Sequence, residues 1–351
     1  MGQRGACAGE IMGRIIKRIF APDVCHRVPA GGADARATAS GRSLRALATI
    51  DLAAPRVIEL ADAAPDFRVR RQRPTTLRFL VGGDALAMKI QRRFADAAVR
   101  SVVRSFAERS AILAERVVVA PLPARPDQFM EFYLQDRYAV SRDDGPLTLA
   151  PETVIVGPQG NRRTRLSLSG NIQVFTIGFQ PGGFHALFGA PMNELVDQGV
   201  VASDVIGPAA SALRDLITFA PDFDARVTAA QRWIGMRMET AKPVDQIGRL
   251  AAVLQRSGGR LRIDALARRA MLSNRQFARR FETQVGLTPK LFALTVRFNS
   301  VLSAKAKAPL TSWTELIHNA GYADQSHFVR DCQALAGSAP REFFARWMQG
   351  R

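Results

Sequence analysis

A pattern of fifty residues occurs twice near the C-terminus, and each copy predicts a helix, a tight turn and a second helix. In both first helices, apolar residues recur at i, i+3, i+4 and i+7, the spacing of one buried helix face. They are Ile263, Leu266, Ala267 and Ala270 in the first copy, and Trp313, Leu316, Ile317 and Ala320 in the second. Because so many positions agree at one offset, the repeat predicts two structurally equivalent units.

The second half of the repeat keeps the same order of residue types at an offset one residue larger. The paired positions are Ser273 with Asp324, Phe277 with Phe328, Arg279 with Arg330, Phe281 with Cys332, Gly286 with Gly337, Pro289 with Pro340, Lys290 with Arg341, and Phe292 with Phe343. Ser273 stands three residues before Gln276, which predicts a capping box at the start of the second helix. Asp324 suits the equivalent N-cap of the second copy, where its charge also favours the positive end of the helix dipole.

Each second helix is predicted to bury one side and expose the other. The exposed side carries polar and basic residues, namely Arg275, Gln276, Arg279 and Arg280 in the first copy, and Gln325, Ser326, His327 and Arg330 in the second. These residue types donate hydrogen bonds to base edges and phosphates in a DNA major groove. We therefore predict these eight residues as DNA contacts.

Residues 289–305 predict a helix that connects the two units. Pro289 stands at a favoured helix-start position, and apolar residues follow at helical spacing. At about 1.5 Å per residue the helix spans roughly 25 Å, which suits two helices placed near the ~34 Å that separates successive major grooves. One chain would then read an asymmetric DNA site without forming a dimer.

The last hundred residues resemble the DNA-binding domain of the AraC/XylS family. The first half of the resemblance rests on Ala267, Ser273, Phe277, Arg279 and Phe281, followed by GLTPK from Gly286 to Lys290. The second half rests on GYADQSHF from Gly321 to Phe328, then Arg330, Gly337, Pro340 and Phe343. Ala339 and Cys332 depart from the family, which has Thr or Ser before the proline and commonly Phe in the helix. The resemblance implies a transcription factor with two helix-turn-helix units and an N-terminal domain for effector sensing or dimerisation.

The charge is distributed as expected for a nucleic-acid module attached to another domain. The chain has 351 residues and a net charge of +18. Residues 241–351 hold 18 Lys and Arg against 7 Asp and Glu, and residues 1–115 hold 20 against 11, whereas residues 116–240 hold 11 against 13. Such a basic end also permits nonspecific DNA coating, which is one alternative function. Gln, Ser and His among the arginines favour base readout instead.

We expect an α+β multidomain protein with four parts. Residues 1–87 are rich in Ala, Arg, Asp, Gly and Pro, which predicts a disordered extension. A start of translation at Met88 is an alternative, and whether residues 1–87 are made in the cell is left open. We place a β-rich sensor-like domain at residues 88–182, a helical dimerisation or connecting segment at 183–240, and the all-α DNA-binding domain at 241–351.

The β-rich domain is predicted from short runs separated by turn residues. Residues 94–114 predict a helix, and the runs that follow predict an antiparallel barrel or jelly roll, at residues 117–120, 129–134, 154–156, 166–168 and 172–179. Helical signals return between residues 184 and 238, where Ser203 and Asp204 are expected to cap a helix. In the family such helices mediate dimerisation.

Two local groups of residues are candidates for an effector site. Arg162, Arg163 and Arg165 suit an anionic effector, although a solvated loop is the favoured interpretation. An apolar pocket would use Phe175, Phe179, Phe184 and Phe188, although aromatic residues at this spacing more often form plain core.

The chain carries no residue pattern that predicts an enzyme. Residues 157–161 (GPQGN) lack the Gly-Lys-Ser/Thr ending of a phosphate-binding loop. Cys7, Cys25 and Cys332 have no metal-site spacing, which disfavours the main enzymatic alternative, a zinc-dependent DNA-alkylation repair protein with an AraC-like module. We predict no catalytic residues, no metal and no cofactor.

The remaining expectations concern location and partners. No apolar run reaches the ~18 residues of a membrane span, so we expect a cytoplasmic protein that binds promoter DNA and no membrane. Further candidate partners are RNA polymerase, a small-molecule effector and a second copy of the chain. The sequence leaves open the effector, the operator, the oligomeric state and whether transcription rises or falls.

Overall fold

The computed structural model describes residues 75–81, 84–160 and 163–349. The predictions for residues 1–74 and for Arg162 lie outside these residues. The predicted extension at 1–87 overlaps two strands, β1 (Thr75–Val81) and β2 (Asp84–Phe94), which pair as an antiparallel hairpin. Strand pairing therefore begins before Met88, which lies within β2, because the β-branched and aromatic residues of TTLRFLV favour an extended chain.

A seven-stranded antiparallel sheet forms one layer of the β-domain, and we refer to it as the large sheet. Its strand order is β1-β2-β3-β10-β5-β8-β11. The strands after the first hairpin are β3 (Val103–Ile112), β5 (Phe129–Tyr133), β8 (Thr153–Val156), β10 (Asn171–Phe179) and β11 (Gly199–Val201).

A four-stranded sheet, the small sheet, forms the second layer with the order β4-β9-β6-β7. Its strands are β4 (Val118–Leu122), β6 (Ala139–Arg142), β7 (Thr148–Leu149) and β9 (Thr164–Leu168). All five predicted β runs overlap strands of these two sheets, so the antiparallel β-unit of the fold-class prediction is confirmed.

The predicted helix at residues 94–114 is wrong. About half of this segment is β3, which pairs with β2 on one side and with β10 on the other. Its composition, SVVRSFAERSAILA, contains many helix-forming residues. Pairing on both sides decides the outcome, since a central strand gains two ladders of backbone hydrogen bonds that local propensity does not record.

Both faces of the large sheet are buried, as the side chains of β10 show, since they point alternately to the two faces. Ile172 and Val174 face the small sheet, whereas Phe175, Ile177 and Phe179 face a layer of helices. These helices are α1 (Gly183–Phe188), α2 (Ala202–Ile206), α3 (Ala209–Phe219) and α4 (Phe223–Thr240). The four phenylalanines considered as an apolar pocket belong to this sheet–helix core.

Polar contacts fix the start of α4. A buried ion pair joins Arg226 of α4 to Glu108 of β3 at 3.0 Å. Asp222 caps α4 by accepting from the Ala225 amide at 2.8 Å. The predicted cap at Ser203 and Asp204 is wrong, because both residues lie within α2. Helix α2 is separated from α3 by a turn at Gly207, which has a positive φ.

The C-terminal region contains helices joined by short turns. They are α5 (Gln246–Arg256), α6 (Ile263–Arg269), α7 (Asn274–Val285), α8 (Pro289–Lys307), α9 (Trp313–Asn319), α10 (Gln325–Ala336) and α11 (Pro340–Gln349). The predicted all-α domain with two helix-turn-helix units is confirmed. Across the described ranges, no helix combines the length and apolarity that a membrane crossing requires.

Candidate nucleic-acid interface

The first unit consists of α6, a turn and α7. Ser273 caps α7: its hydroxyl accepts from the Gln276 amide at 3.2 Å, while the Gln276 side chain accepts from the Ser273 amide at 3.1 Å. The predicted capping box is therefore confirmed. It satisfies two of the amides that a helix N-terminus leaves without partners, so the first turn of α7 has a defined geometry.

The two sides of α7 differ as the sequence predicts. Phe277, Phe281 and Val285 are fully buried, and the Phe281 ring meets Phe292 of α8 edge-on at 5.4 Å between centroids. The four predicted contacts on the other side are all exposed, namely Arg275, Gln276, Arg279 and Arg280. The apolar side thus fixes the orientation of the helix and presents the basic side to solvent.

The four exposed residues of α7 are not equally available to a ligand. Gln276 uses its carbonyl oxygen in the capping box. Arg280 donates from Nη2 to Asp245 at 3.1 Å. The side chains of Arg275 and Arg279 make no hydrogen bond or ion pair within the described part of the chain, so these two cations are the most available for phosphates or bases.

Asp245 anchors α7 to the preceding helix. Its Oδ1 caps α5 by accepting from the amides of Ile247 and Gly248, and its Oδ2 accepts from Gln284 at 2.7 Å and from Arg280. Burial alone would raise the pKa of Asp245, but these hydrogen bonds outweigh it and lower the pKa. Sequence reasoning missed this residue, although an Asp directly before an apolar helix is an N-cap signal.

The second unit consists of α9, a turn and α10. Asp324 accepts from the His327 amide at 2.8 Å and so caps α10, as predicted. Phe328, Cys332 and Leu335 are buried. The four predicted contacts on the opposite side are all exposed, namely Gln325, Ser326, His327 and Arg330.

Intramolecular contacts again distinguish the exposed residues. Gln325 donates to the hydroxyl of Thr314 in α9, which ties the start of α10 to the first helix of its unit. Arg330 reaches back to the Ser326 carbonyl in a long contact of 3.4 Å. A contact of this length is weak, so a DNA phosphate or base would displace it at little cost.

Helix α8 joins the units, as predicted, and extends two residues beyond the predicted end. Its 19 residues correspond to about 28 Å at 1.5 Å per residue. Phe292, Ala293 and Val296 on this helix pack into the core of the first unit, whereas Phe298, Val301 and Leu302 pack into the core of the second. One rigid element therefore fixes the spacing of both units.

Other basic residues of the domain are held by acidic neighbours. Asp264 pairs with Arg262 at 3.0 Å and with Arg268 at 3.1 Å, and these partners lower its pKa, the hydrogen bond from Arg262 most of all. Because all three groups are solvated, the pairs contribute little to stability. No group of three His, Cys, Asp or Glu side chains in the described ranges is arranged to hold a metal ion.

The predicted arginine group of the β-domain forms a surface network. Arg165 pairs with Asp144 at 2.7 Å, and Arg163 approaches the same carboxylate at 4.0 Å. These side chains are about half exposed, as the sequence favoured, but Arg165 lies in strand β9 and not in a loop. The arginines that line a cavity in this domain are different ones, and the sequence offered no signal for them because they are dispersed along the chain.

Two family models match the chain. One is described as a helix-turn-helix domain and matches residues 266–346. The other is a domain of unknown function, DUF6597, and matches residues 116–201. No curated protein sequence matches the chain.

Several solved structures are similar to the chain at low identity. ToxT from Vibrio cholerae is 10% identical over 69% of this chain and 98% of its own, with a TM-score of 0.41. A ToxT structure with a bound unsaturated fatty acid is 10% identical over 66% and 95%, with a TM-score of 0.37. A putative ethanolamine utilization protein from Salmonella typhimurium is 8% identical over 31% and 97%, with a TM-score of 0.22.

The family match covers both helix-turn-helix units and leaves out only the ends of the region predicted at 241–351. The two capped second helices, their buried aromatic sides and the connecting α8 agree with the resemblance that the sequence shows. The C-terminal part of this protein is an AraC-type helix-turn-helix domain.

Proposed function

We propose that the protein binds a specific promoter sequence by inserting α7 and α10 into successive major grooves of one DNA molecule. The proposal rests on one observation: α7 and α10 are both capped at their start, and both have an exposed polar face. The two units to which they belong are joined by one continuous helix, α8. Helix α8, at about 28 Å, is of the order of the ~34 Å between successive major grooves.

The eight predicted contacts have distinct roles in this proposal. Arg279 and Arg330 occupy equivalent positions, six residues beyond the N-caps of their helices, and are proposed to read guanine edges. Arg275 contacts a phosphate or base beside them. Gln276, Gln325 and Arg280 are held by intramolecular bonds, so they orient the helices at least as much as they bind DNA. Ser326 and His327 complete the second face.

Regulation of this DNA binding is assigned to the β-domain and helices α1 to α4. Residues 88–182 are proposed as the sensing domain and residues 183–240 as the dimerisation or connecting segment. The close contact between these regions and the DNA-binding domain supports the assignment: Gln128 of the β-domain donates to the Val285 carbonyl at the end of α7 at 2.8 Å. RNA polymerase is the proposed downstream partner.

The test is a salt titration of DNA binding by the full chain. Wild type, Arg279→Ala and Arg330→Ala are compared on the protein's own promoter DNA and on a scrambled duplex. Each variant is expected to lose about 1–3 kcal/mol of binding free energy on the promoter. The matched control is Arg165→Ala, which removes one charge from the β-domain surface and is expected to change little.

Nonspecific DNA coating is the second candidate, because residues 241–351 alone carry a net charge of +11, 18 basic against 7 acidic residues. It predicts equal binding to both duplexes, with affinity that falls steeply as salt rises. A promoter preference that persists at high salt excludes it. If both arginine variants bind the promoter as wild type does, the assigned DNA-contact faces are wrong.

A further inference from the structure

The two helix-turn-helix units meet directly at the middle of α8, in addition to sharing that helix. Arg297 stands between Val296, which packs into the core of the first unit, and Phe298, which packs into the core of the second. Its Nη2 donates to the Gly259 carbonyl, in the loop that leads into α6, at 3.1 Å. Its guanidinium also lies over the Tyr322 ring of the second unit, 5.4 Å from the ring centre. One side chain therefore contacts both units.

Gly259 allows the loop before α6 to come this close to α8. The residue has a φ of +73°, and a Cβ at this position would lie 2.1 Å from the Ala293 carbonyl oxygen of α8. No side chain fits at that distance, so the backbone of the loop rests directly on the helix. The Gly259 carbonyl is thus held within reach of Arg297, which lies one helical turn beyond Ala293.

The second unit presents an aromatic ring to Arg297. Tyr322 lies in the turn between α9 and α10, is 5% exposed, and meets the Phe328 ring edge-on at 5.3 Å between centroids. The core of the second unit therefore fixes the position of the Tyr322 ring. A guanidinium over an aromatic face is attracted by the quadrupole of the ring, and the attraction is stronger where water is excluded.

The surroundings of Arg297 favour the same arrangement. Its Nε is buried and has no hydrogen-bond partner among the described residues, so water is largely excluded on that side of the guanidinium. Asp331 of α10 adds an acidic group near the contact: burial raises the pKa of Asp331, and the Arg297 charge is among those that act against this rise. The second unit thus offers Arg297 both a ring and a negative charge.

A second contact between the units lies beside the first. Arg260 follows Gly259 in the loop and donates from Nε to the Ser257 carbonyl at 3.0 Å, which holds its side chain against its own loop. Its Cδ packs on Gly321, where a Cβ would lie 3.2 Å away. The loop of the first unit therefore reaches the turn of the second through Arg260 as well as through Arg297.

The residues of this contact differ between the two copies of the repeat. At the offset that pairs Gly321 with Met271, Tyr322 corresponds to Leu272, which packs against the core of the first unit. The aromatic ring that Arg297 meets is thus absent at the equivalent position of the first copy. This difference indicates that the ring supports the joint between the units and is not required for the internal structure of a unit.

The contact limits rotation of one unit against the other about the axis of α8. Apolar packing is non-directional, so the two cores hold the units on the helix but define the angle between them less sharply. B-DNA turns once in about 10–10.5 base pairs, so adding one base pair between two sites rotates them by roughly 35° relative to each other. A joint that holds the angle within a fraction of this value selects one separation of the two DNA sites.

We propose that Arg297 is a positioning residue: its contacts with Gly259 and Tyr322 fix the angle between α7 and α10, and thereby the number of base pairs that the protein accepts between the two halves of its DNA site. We refer to Arg297, Gly259 and Tyr322 as the clamp. The statement about DNA rests on the proposed function, whereas the statement about the angle does not.

The first test measures the arrangement of the units in the full chain without DNA. Spin labels are attached at Met271→Cys and Gln333→Cys, both at exposed positions, one in each unit. Serine replaces Cys7 and Cys25, and Cys332 is buried. Double electron–electron resonance then measures the distance between the labels, and the intact clamp is expected to give one narrow distribution.

Two substitutions that remove the clamp are expected to change this distribution. Arg297→Met removes the charge and the donor at nearly constant side-chain length, and Tyr322→Leu introduces the residue of the first copy. Each is expected to broaden the distribution or shift its mean by more than ~3.4 Å, the rise of one base pair. Arg297→Lys keeps the charge but not the planar guanidinium, so its effect should be intermediate.

Two matched controls separate the clamp from other effects. Tyr322→Phe keeps the ring over which Arg297 lies and should give the distribution of the intact clamp. Asn299→Ala removes the bond from α8 to the Ala124 carbonyl of the β-domain, at 2.7 Å, but leaves the clamp in place, and it should also have no effect. Thermal melting of each variant verifies that it is folded.

The second test measures the accepted separation on DNA. A binding site is selected from random duplexes with the wild-type chain, and one base pair is then inserted between the segments that the two units protect. Wild type is expected to lose at least about tenfold in affinity, because one recognition helix loses its base contacts. Arg297→Met is expected to bind the unaltered site more weakly but to lose less than about threefold on insertion. A residue that only stabilised the fold would leave this ratio unchanged.

The inference is overturned if Arg297→Met and Tyr322→Leu both keep the distance distribution of the intact clamp. It is also overturned if Asn299→Ala changes the distribution while they do not, since the β-domain would then set the angle. An insertion penalty that is equal in wild type and Arg297→Met contradicts the part that concerns DNA. A chain whose distances depend on the clamp, but which selects no DNA site, contradicts the proposed function and supports the clamp.

Discussion

The two helix-turn-helix units arise from one repeated sequence pattern but are held together by different interactions. The first relies on a polar anchor, in which Asp245 joins α5 to α7 through Arg280 and Gln284. The second relies on aromatic rings, with Trp313 at 5.8 Å from Phe328 and 5.5 Å from Phe344 between centroids. The comparison teaches that the helix spacing and the caps define the unit, whereas its internal support can change.

The apolar cores of the units show the same freedom. The first has Ile263 and Phe281 where the second has Trp313 and Cys332, so a small and a large residue have exchanged places. Phe281 and Cys332 are both fully buried. Cores tolerate such exchanges when the total volume is conserved, which explains why Cys332 departs from the family without leaving a gap in the aromatic cluster.

The largest loss of stability is expected when the small residue of the second core is placed in the first core without the large ring that accompanies it in the second. Phe281→Cys gives the first core the small residue of the second but no added ring, so it should lower the free energy of unfolding by about 3 kcal/mol. Urea denaturation followed by circular dichroism measures the change. A loss below about 1 kcal/mol would show that the first core collapses around the smaller side chain and that packing does not distinguish the units.

The two N-cap aspartates provide the next comparison. Asp324→Ala removes only a cap and should cost about 1 kcal/mol. Asp245→Ala removes a cap and leaves Arg280 and Gln284 without their acceptor, so it should cost roughly 2–3 kcal/mol. Equal losses in thermal or urea unfolding would indicate that the polar anchor of the first unit contributes nothing beyond its cap.

The turn between the helices offers a sharper comparison, because both units place one residue in the left-handed region. Gly321 has φ 84° and Met271, at the equivalent position, has φ 54°. A side chain in this conformation costs about 1–2 kcal/mol. Gly321→Ala should destabilise the protein by roughly that amount. Met271→Gly removes the same penalty, but glycine also raises the conformational entropy of the unfolded chain, so the net stabilisation should be at most ~1 kcal/mol.

Met271 is 88% exposed, so its replacement removes almost no packing. A melting temperature that falls for Met271→Gly would contradict the strain argument. Met271→Ala is the control, since it shortens the side chain but retains the backbone penalty.

The smallest effects concern pH, and the two units should respond in opposite directions. The pKa of Asp245 is lowered in the folded protein, so its contribution to stability is present above the unfolded pKa near 4 and is lost as pH falls. The pKa of Asp331 in α10 is raised by burial, so its ionisation opposes folding as pH rises. At pH 7, Asp245→Asn should destabilise and Asp331→Asn should stabilise, each by less than ~1 kcal/mol after solvent screening.

Both differences should shrink in unfolding measurements at pH 3.5, where the carboxylates are largely protonated in the unfolded chain. If the stability difference between wild type and Asp245→Asn were the same at pH 3.5 and pH 7, the negative charge of Asp245 would not contribute to stability.

The helix-turn-helix units could be predicted because their signals are local. Caps, turn residues and the spacing of Phe277 and Phe281 lie within a few positions of one another, and the structure places them as the sequence indicates. The DNA-contact assignments rest on the same local pattern and stay predictions. What the sequence could not show is which contacts are restrained, since Asp245 meets Arg280 from 35 positions away.

The β-domain was harder to predict because its structure depends on distant pairing. Strand β3 has helix-forming residues, and its neighbours in the sheet include β10, more than 50 positions later. The cavity shows the same difficulty, as Arg109 and Arg125 are brought together only when the two sheets pack. Neither short-range periodicity nor composition carries that information.

Helix α8 has a consequence for how this domain folds and can be divided. Because Phe292 completes the core of one unit and Phe298 completes the core of the other, neither unit possesses a whole hydrophobic core of its own. Loss of one end of α8 would expose apolar residues on the helix and on the core that it completes. Because both units share the helix, this coupling favours a single cooperative unfolding transition. The duplicated pattern therefore does not form two independent modules, since a cut within residues 289–307 would interrupt a helix that contributes to both cores.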